Sequence, residues 1–428
     1  MRLFDGSPDV EVDGGRVCGS IAIPPHDVGS HFAISYSRDI DMRRTILTLL
    51  SLILLSGPAA RSAAPIPVRL ADSELWSMVS TFSEPGGEFR FENFLSNEIY
   101  YQNVIPTLKA RVKPGGIYMG VGPEQNFTYI VAVQPRIAFI TDIRRQNMLE
   151  LMMYKALFEM ASNRADFISL LFSRKRPSGL AADATADALF NAYGSVVEDP
   201  TLFKKNLQAV QDLLLKTHRF PLKTEDLAGI EKVYSYFFDY GPGINYNSGG
   251  GGTGGFGRAF ANVTYADLMA ANDRQGTSST TGKNRSFLAT EENYQYIRDM
   301  EMRNLIVPLV GDFAGPKAIR AVGSWAKQHA ATVTTFYLSN VEQYLFMDRV
   351  DGKFYANVQM LPLDMTSTFI RSGRAPGGFG GRSGRRGGFG GPGGFGGLTS
   401  MLSPITDILK AYDTGRIRAW NDVLSMSR

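Results

Sequence analysis

A glycine-bearing turn between two short apolar runs constrains the fold of this chain more than any other feature. The first run, 117–121, leads into Gly122, and a helix-compatible stretch, 124–133, follows it. A second apolar run, 137–141, ends in Asp142, twenty positions after Gly122. This layout is typical of the first β-α-β unit of a nucleotide-binding α/β fold. There, glycines let the backbone approach a ligand and the carboxylate accepts hydrogen bonds from ribose hydroxyls.

Two later apolar runs predict further strands that end in polar residues. The run 305–310 leads into Asp312, and the run 332–338 leads into Ser339 and Asn340. Strands that alternate with helices favour a parallel sheet with helices on both faces. We therefore predict a three-layer, Rossmann-like, mostly parallel α/β sheet. Its strands would end at one carboxyl edge, where open α/β sheets bind their ligands.

The spacing of the predicted elements divides the rest of the chain. The halves of the Rossmann-like domain are predicted at 65–180 and 301–370. The stretch 181–300 has helix and loop patterns throughout, which predicts an inserted helical region with a glycine-rich loop, packed over or beside the carboxyl edge. We predict a flexible Gly/Phe/Arg-rich loop at 371–398 and a C-terminal helix within 399–428.

The N-terminal region has the three parts of a secretory signal peptide. A basic start at Met42 precedes a short apolar run, 46–55, and small residues continue to Ala64. The apolar run is shorter than a comfortable membrane span. We therefore predict a signal peptide at 42–64 and export to the periplasm or the extracellular space, with residues 1–41 an over-extended gene start. An uncleaved N-terminal membrane anchor is the alternative.

Composition excludes several kinds of site. Cys18 is the single cysteine, so an intrachain disulfide, a cysteine-based zinc site and an iron–sulfur cluster are impossible. The four histidines lack metal-ligand spacing on one element, and we expect no metal. The formal charge is +4, and it is near zero without five arginines of one glycine-rich segment. Bulk charge therefore predicts no nucleic-acid binding by the folded body.

Those five arginines alternate with glycines and phenylalanines in the segment 371–398. They are Arg371, Arg374, Arg382, Arg385 and Arg386. In a cytosolic protein this composition would predict RNA binding by stacking and charge. Behind a signal peptide it favours a flexible, solvated loop, for which an anionic envelope surface is the partner to consider.

Each polar residue at the predicted edge also has a structural alternative. Glu124 at a helix N-terminus would repel a pyrophosphate, so the turn better suits a ligand with a cationic or neutral part. Asp142 could cap the next helix, Asp312 could be a turn residue, and Asn340 could cap the helix that holds Glu342. Because polar residues recur at four strand ends, the pattern favours a ligand site over four separate structural roles.

The order of these features resembles the class I S-adenosylmethionine-dependent methyltransferase fold. The resemblance implies S-adenosylmethionine, or a similar small nucleoside-type ligand, as the cofactor. In that family the glycine turn faces the methionine part and the ribose, the second-strand acid holds the ribose, and the third-strand acid touches the adenine. The implied cofactor-binding residues are Gly120, Gly122, Glu124, Asn126, Asp142 and Asp312. Ser339 and Asn340 would orient the methyl acceptor, with Glu342 as a candidate base.

A second resemblance is more specific but names no activity. The runs GVGPEQNFTYI, AFITDIRR and SNVEQYL are similar to an uncharacterised bacterial family described as a domain of unknown function. The methyltransferase pattern also lacks its usual acid at the end of strand one, where Tyr118 and Met119 stand. Two functions therefore remain open. One is an exported methyltransferase-like enzyme, and the other is a non-catalytic exported binding or interaction protein on the same fold.

Overall fold

A computed structural model describes residues 64–89, 92–248, 263–273, 282–373 and 398–428. The predicted over-extended start and all but the last residue of the predicted signal peptide lie outside these ranges. So do most of the glycine-rich loop of the insert and nearly all of the Gly/Phe/Arg-rich segment. No helix within the described ranges is both long enough and apolar enough to span a membrane.

Six strands form one sheet in the order β3-β2-β1-β4-β5-β6. They are β1 Ile117–Gly120, β2 Ile137–Asp142, β3 Ile306–Val310, β4 Val333–Ser339, β5 Thr368–Gly373 and β6 Thr399–Pro404. The first five run parallel to their neighbours, and β6 pairs antiparallel with β5. The prediction of a Rossmann-like, mostly parallel sheet is confirmed, because β1 to β5 have the strand order of that fold.

The helices in the described residues connect and flank these strands. They are α1 Asp72–Phe82, α2 Ile105–Arg111, α3 Gln125–Val133, α4 Arg145–Met160, α5 Arg164–Phe172, α6 Ala186–Gly194, α7 Pro200–Asp212, α8 Thr224–Tyr240, α9 Tyr265–Ala270, α10 Glu291–Met302, α11 Ala318–Gln328, α12 Val341–Met347, α13 Asp351–Gln359, α14 Ile405–Asp413 and α15 Trp420–Ser425. Two 3₁₀ turns, Tyr101–Val104 and Gly241–Gly243, and one π turn, Leu213–Thr217, complete the set.

Helices cover both faces of the sheet, which gives three layers. On one face, Phe139 of β2 packs its ring against Phe82 of α1 and Trp325 of α11. On the other face, Tyr337 of β4 packs against Tyr129 of α3. Every residue of β1, β2, β3 and β5 is buried, as parallel strands covered on both faces require. This requirement explains why β1, β2 and β3 are visible as apolar runs in the sequence, whereas β5, TFIRSG, is buried without being one.

The sequence between β2 and β3 forms the predicted helical region. Its helices α8 and α10 pack against α4, which itself contacts β2 and β3. Pro308 does not interrupt β3, because β3 is an edge strand and proline is tolerated where one side lacks a partner strand. The inserted region and the sheet therefore share a single apolar core.

The predicted C-terminal helix within 399–428 is wrong at its start. Thr399–Pro404 is strand β6, and the backbones of Leu402 and Arg428 exchange two hydrogen bonds beside it. Helix α14 follows and ends before Gly415, whose φ of +70° is a conformation that glycine adopts without strain. A separate short helix, α15, closes the chain. Because the apolar residues of α14 and α15 repeat at helical spacing, the sequence indicated one helix and showed neither the strand nor the break.

The predicted flexible loop also begins too early. Strand β5 extends to Gly373, so Arg371 lies within the sheet and not in the loop. Its side chain is fully buried, over the ring of Phe369 at 4.9 Å from the ring centroid. The glycine-rich composition that follows suggested a solvated arginine, whereas the fold places this one in the interior.

Candidate functional site

The carboxyl ends of the strands border one cavity of about 760 Å³. Its lining includes five of the nine sequence-predicted site residues: Gly122, Asp142, Asp312, Ser339 and Asn340. Further lining comes from residues 88–89, Asn93 and residues 95–98, which precede the sheet, and from Tyr246 and Asn247 of the helical region. The volume falls within the range of about 300–1,000 Å³ that is usual for small-molecule sites.

The two glycines at the end of β1 and in the turn that follows it are required for different reasons. Gly122 has a φ of +76°, in the left-handed region that favours glycine, and a methyl group there would meet open space. Gly120 lies inside the wall, where a methyl group would overlap the side chains of Asn126 and Tyr118. Gly122 therefore faces the cavity, whereas Gly120 allows close packing behind it.

Asn126 holds the turn and does not line the cavity. Its fully buried amide nitrogen lies 2.9 Å from the carbonyl oxygen of Val121, 3.0 Å from that of Gly122 and 2.8 Å from that of Pro123. Its Oδ1 accepts a hydrogen bond of 2.8 Å from the Tyr118 hydroxyl. By donating to three successive carbonyl groups, the side chain fixes the shape of the turn.

Glu124 is also outside the cavity lining. It is fully buried, and its Oε1 accepts a hydrogen bond of 3.2 Å from the backbone nitrogen of Ser96, while Oε2 has no hydrogen-bond partner. Burial raises the pKa of Glu124 to about 8, so the side chain is mostly neutral at pH 7. The repulsion of an anionic ligand expected from the sequence is accordingly weak at this position.

A second buried acid, Glu150 on α4, lies behind the same turn. Neither of its carboxyl oxygens has a hydrogen-bond partner. Burial, followed by the nearby Glu124, raises the pKa of Glu150 well above its usual range. Sequence reasoning missed this residue because it stands in an apolar helical run, LELMMYKALFEM. A single acid in such a helix is normally expected to face solvent.

Asp142 lines the cavity and also binds Arg144. Its Oδ1 accepts hydrogen bonds from the backbone nitrogen of Arg144 at 2.9 Å and from Nε at 3.1 Å, and its Oδ2 accepts one from Nη2 at 3.1 Å. A carboxylate offers about four acceptor positions. Asp142 therefore keeps acceptor capacity on Oδ2 for a hydroxyl group in the cavity, while Arg144 fixes its orientation.

Asp312 and Asn340 also line the cavity, with different local roles. Asp312 Oδ1 accepts a hydrogen bond of 2.9 Å from the backbone nitrogen of Ala314, so the side chain shapes the turn after β3. Asn340 precedes α12, but its side chain makes no capping hydrogen bond. The side chain of Asn340 therefore does not cap α12, although the sequence allowed that role. Asp312 does act as a turn residue, as the sequence allowed, and it also lies on the cavity wall.

Glu342 belongs to the framework and not to the cavity. Its Oε2 lies 2.6 Å from Nε of Arg371 in an ion pair whose two side chains are almost completely buried. Its Oε1 accepts hydrogen bonds from Nη2 of Arg371 at 3.2 Å and from the Tyr355 hydroxyl at 2.8 Å. Because its carboxylate is engaged in this way, we do not assign Glu342 the role of a base.

A buried carboxylate that sequence reasoning missed, Glu98, lies in the cavity wall. Ser339 Oγ donates to its Oε1 at 2.6 Å, and the Tyr337 hydroxyl donates to the same oxygen at 3.1 Å. Gln125 Nε2 donates to Oε2 at 2.9 Å, and Ser372 Oγ donates there as well. We call Glu98 and these four donors the Glu98 cluster. It joins the segment before the sheet to α3, β4 and β5.

No local sequence signal marks Glu98, because it lies in NEIYYQN, ahead of the first strand. Its partners on β4 are 239 and 241 positions away in the chain. Ser339 itself has a φ of +48°, which is uncommon for a non-glycine residue. Strained backbone of this kind concentrates at functional sites, so the end of β4 and Glu98 together form the most unusual part of the wall.

The described lining of the cavity is strongly acidic. Its charged residues are Glu88, Glu98, Asp142, Arg144, Asp312 and Asp348. Thus five acids face a single arginine, and that arginine is paired with Asp142. The described residues contain no group of three or more His, Cys, Asp or Glu side chains placed to hold a metal ion. The arrangement therefore favours an organic ligand with positive charge and hydrogen-bond donors.

Comparison with known protein families places the chain in a family. A family model described as "Domain of unknown function (DUF7790)" matches residues 93–218 and 257–383. The chain belongs to this DUF7790 family. The match covers more than half of the chain and includes both Glu98 and the residues at the ends of β1 to β4. The prediction of a family of unknown function is confirmed. No curated protein matches the chain.

Proposed function

We propose that this DUF7790 protein is methyltransferase-like and binds S-adenosylmethionine, or a related nucleoside ligand, at the carboxyl edge of its sheet. The observation that carries this proposal is the convergence of Gly122, Asp142, Asp312, Ser339 and Asn340 on one cavity. These residues follow four different strands, and their order along the chain is the order that the methyltransferase resemblance requires.

The residues of the cavity fit such a ligand chemically. The positive φ of Gly122 lets backbone approach the ligand, and Oδ2 of Asp142 has acceptor capacity for a ribose hydroxyl. Asp312 would contact the adenine ring. The acidic lining complements the positive charge of a sulfonium group. When bound, S-adenosylmethionine would supply an electrophilic methyl group.

The protein's own contribution would be to position the acceptor. Ser339 and Asn340 stand at the end of β4, on the cavity wall. Methyl transfer depends mainly on holding donor and acceptor in line, so two orienting polar side chains on the cavity wall suffice for a role of this kind.

A binding protein without turnover is the alternative. The observation that favours it is the state of the two carboxylates nearest the end of β4. Glu342 is neutralised by Arg371, and Glu98 already accepts four hydrogen bonds. Neither is free to remove a proton without losing a partner. Formation of S-adenosylhomocysteine over time would distinguish an enzyme from a binding protein that holds the same ligand.

We also propose that the chain is exported, on the evidence of its basic, apolar and small-residue N-terminal pattern. The N-terminal sequence of the protein isolated from its native cells tests this. Cleavage near Ala64 supports export, whereas an intact Met42 segment in the membrane fraction supports the anchor. Contact of the Gly/Arg-rich segment with an anionic envelope surface depends on export and is proposed on composition alone.

Calorimetric titration of the purified full chain tests the binding proposal. We expect micromolar binding of S-adenosylmethionine and S-adenosylhomocysteine and much weaker binding of NAD. Asp142→Asn should lower both affinities by about tenfold, the effect of losing one charge-assisted hydrogen bond. Asp351→Asn, which changes a carboxylate outside the cavity, serves as the control. A folded protein that binds neither S-adenosyl compound would contradict the proposal.

A further inference from the structure

The proton positions in the Glu98 cluster determine what the cavity wall can bind. A hydroxyl group has one proton to donate and lone pairs to accept. Ser339 Oγ and the Tyr337 hydroxyl both direct their protons to Glu98 Oε1, at 2.6 and 3.1 Å. Because Ser339 and Tyr337 also line the cavity, the sites that their hydroxyls offer to a ligand are acceptors.

The negative charge of Glu98 is not compensated by its hydrogen-bond partners, so it can attract a ligand in the cavity. Its hydrogen-bond partners are an amide and three hydroxyl groups, all of which are neutral. Four hydrogen bonds hold the carboxylate in place but do not cancel its charge. No ion pair to Glu98 occurs among the described residues, and the one arginine of the described lining is bound to Asp142. A wall that combines this charge with outward acceptors repels anions.

We propose that the wall formed by Glu98, Tyr337 and Ser339 binds the ammonium group of an amine. A protonated amine supplies both the positive charge and the N–H donors that this wall requires, whereas a carboxylate or phosphate supplies neither. The lining also includes aromatic side chains, among them Phe89, Tyr344 and Trp420, beside which the apolar body of such a ligand can pack. Arylalkylamines, which carry an aromatic ring and a protonated aliphatic amine, fit this combination.

Under the proposed function, this amine would be the methyl acceptor, and that assignment rests on the proposed function. The ammonium group would first lose a proton to solvent, because only the neutral amine has the lone pair that can take the methyl group from the sulfonium, which would leave as S-adenosylhomocysteine. The recognition of the amine does not, because the acceptor atoms and the negative charge belong to the wall without any cofactor. Experiments can therefore disprove amine binding and S-adenosylmethionine binding independently of each other.

Three probes of similar shape test the amine proposal. Tyramine and tyrosol differ only in carrying an ammonium or a hydroxyl group, and 4-hydroxyphenylacetate, of similar length, ends in a carboxylate that replaces the outer methylene and its substituent. We expect calorimetric titration of the full chain, without S-adenosylmethionine, to give at least about tenfold tighter binding of tyramine than of tyrosol, as for a charge-assisted hydrogen bond. 4-Hydroxyphenylacetate should bind most weakly. Equal binding of the three probes, or no binding of any, would overturn the proposal.

Variants test whether the preference for tyramine arises at Glu98. Glu98→Gln removes the charge and lets an amide N–H donate to Ser339 and Tyr337, so their protons can turn toward the cavity. The preference for tyramine should fall about tenfold, while the control Asp351→Asn keeps it. Asp351 is matched because it also accepts a tyrosine hydroxyl, that of Tyr412 at 2.7 Å, but lies outside the cavity lining.

The melting temperature establishes whether Glu98→Gln folds. If it does not, Ser339→Ala gives the same test, because it removes one acceptor and leaves the carboxylate in place. A severalfold loss of tyramine affinity in Ser339→Ala, with tyrosol affinity less affected, supports the proposal. Unchanged tyramine preference in a folded Glu98→Gln or Ser339→Ala protein rejects it. S-adenosylmethionine titrations of the same variants report separately on the proposed function.

Discussion

Two buried carboxylates beside β4 and β5 show two different ways of placing an acid in a protein interior. Glu342 pairs with Arg371, and the two charges cancel inside the core. Glu98 is almost as deeply buried, yet only neutral groups donate to it, and it lies in a cavity wall. The first arrangement is complete without a ligand, whereas the second leaves a negative charge facing a space that a ligand can fill.

Whether a buried charge is paired with an opposite charge separates framework residues from candidate site residues more reliably than residue type does. The sequence assigned Glu342 to the site because it follows the end of β4, and it gave Glu98 no role. The Glu342–Arg371 pair lies outside the cavity lining and its two charges compensate each other, so neither side chain needs a ligand. A charged group whose charge is not cancelled costs stability unless something compensates it, which is a reason to look for a ligand beside it.

The largest effect is expected from breaking the compensated pair. Arg371→Met should lower the free energy of unfolding by about 3–5 kcal/mol, because it leaves Glu342 buried without its cation. Chemical denaturation measures this. The double variant Glu342→Leu with Arg371→Met should recover most of the loss, since it removes both charges. A loss below about 1 kcal/mol in the single variant would mean that the pair does not behave as framework.

The two glycines of the turn show the same difference between framework and site, because Gly120 lies in the packed interior and Gly122 faces the cavity. Gly120→Ala should cost about 1–3 kcal/mol of unfolding free energy, because its methyl group would overlap Asn126 and Tyr118 in a packed interior. Gly122→Ala should cost roughly 1–2 kcal/mol from its left-handed backbone alone, since its methyl group meets open space.

Ligand titration sharpens the comparison of the two glycines. Gly122→Ala adds its methyl group on the cavity side, so it should weaken the binding of S-adenosylhomocysteine even where the protein is well folded. A Gly122→Ala protein with unchanged affinity would show that this glycine serves the turn and not a ligand.

A third kind of buried acid is one that is kept neutral, and its effect on stability is spread over several pH units. Burial raises the pKa of Glu124 to about 8 from an ordinary value near 4.5. Between these values the folded chain keeps a proton that the unfolded chain releases. The free energy of unfolding should therefore fall as pH rises through this window, by at most about 1.4 kcal/mol per pH unit for this residue.

Glu124→Gln tests that prediction, because glutamine is neutral at every pH and keeps an oxygen for the backbone nitrogen of Ser96. Denaturation at several pH values between about 5 and 8 should give a shallower decline for the variant than for the parent. Burial also raises the pKa of Glu301, to about 8, so some decline should remain. Identical slopes in the two proteins would mean that Glu124 is not held neutral.

The sheet was largely predictable because buried parallel strands need continuous apolar sequence, and β1 to β4 provide it. Their polar ends could be expected to meet at one edge, and Gly122, Asp142, Asp312, Ser339 and Asn340 do so. Strand β6 was missed because its sequence, TSMLSP, does not alternate polar and apolar residues and runs into a helical pattern.

Other features depended on contacts between distant parts of the chain. Glu98 meets Ser339 and Tyr337 only after the sheet has formed, and no spacing rule joins residues more than 200 positions apart. Arg371 looked solvated because of the glycines that follow it, although its own position lies in β5. Glu150 is buried on α4 near Glu124, a neighbour that its own helical sequence does not indicate.

The most direct test of the central claim is a crystal structure of the full chain grown with S-adenosylhomocysteine. We predict that the nucleoside occupies the cavity, with its ribose at Asp142, its adenine at Asp312 and its amino-acid part near Gly122. An empty cavity at saturating ligand, or the nucleoside bound elsewhere on the protein, would contradict the assignment of this edge as a methyltransferase-like binding site.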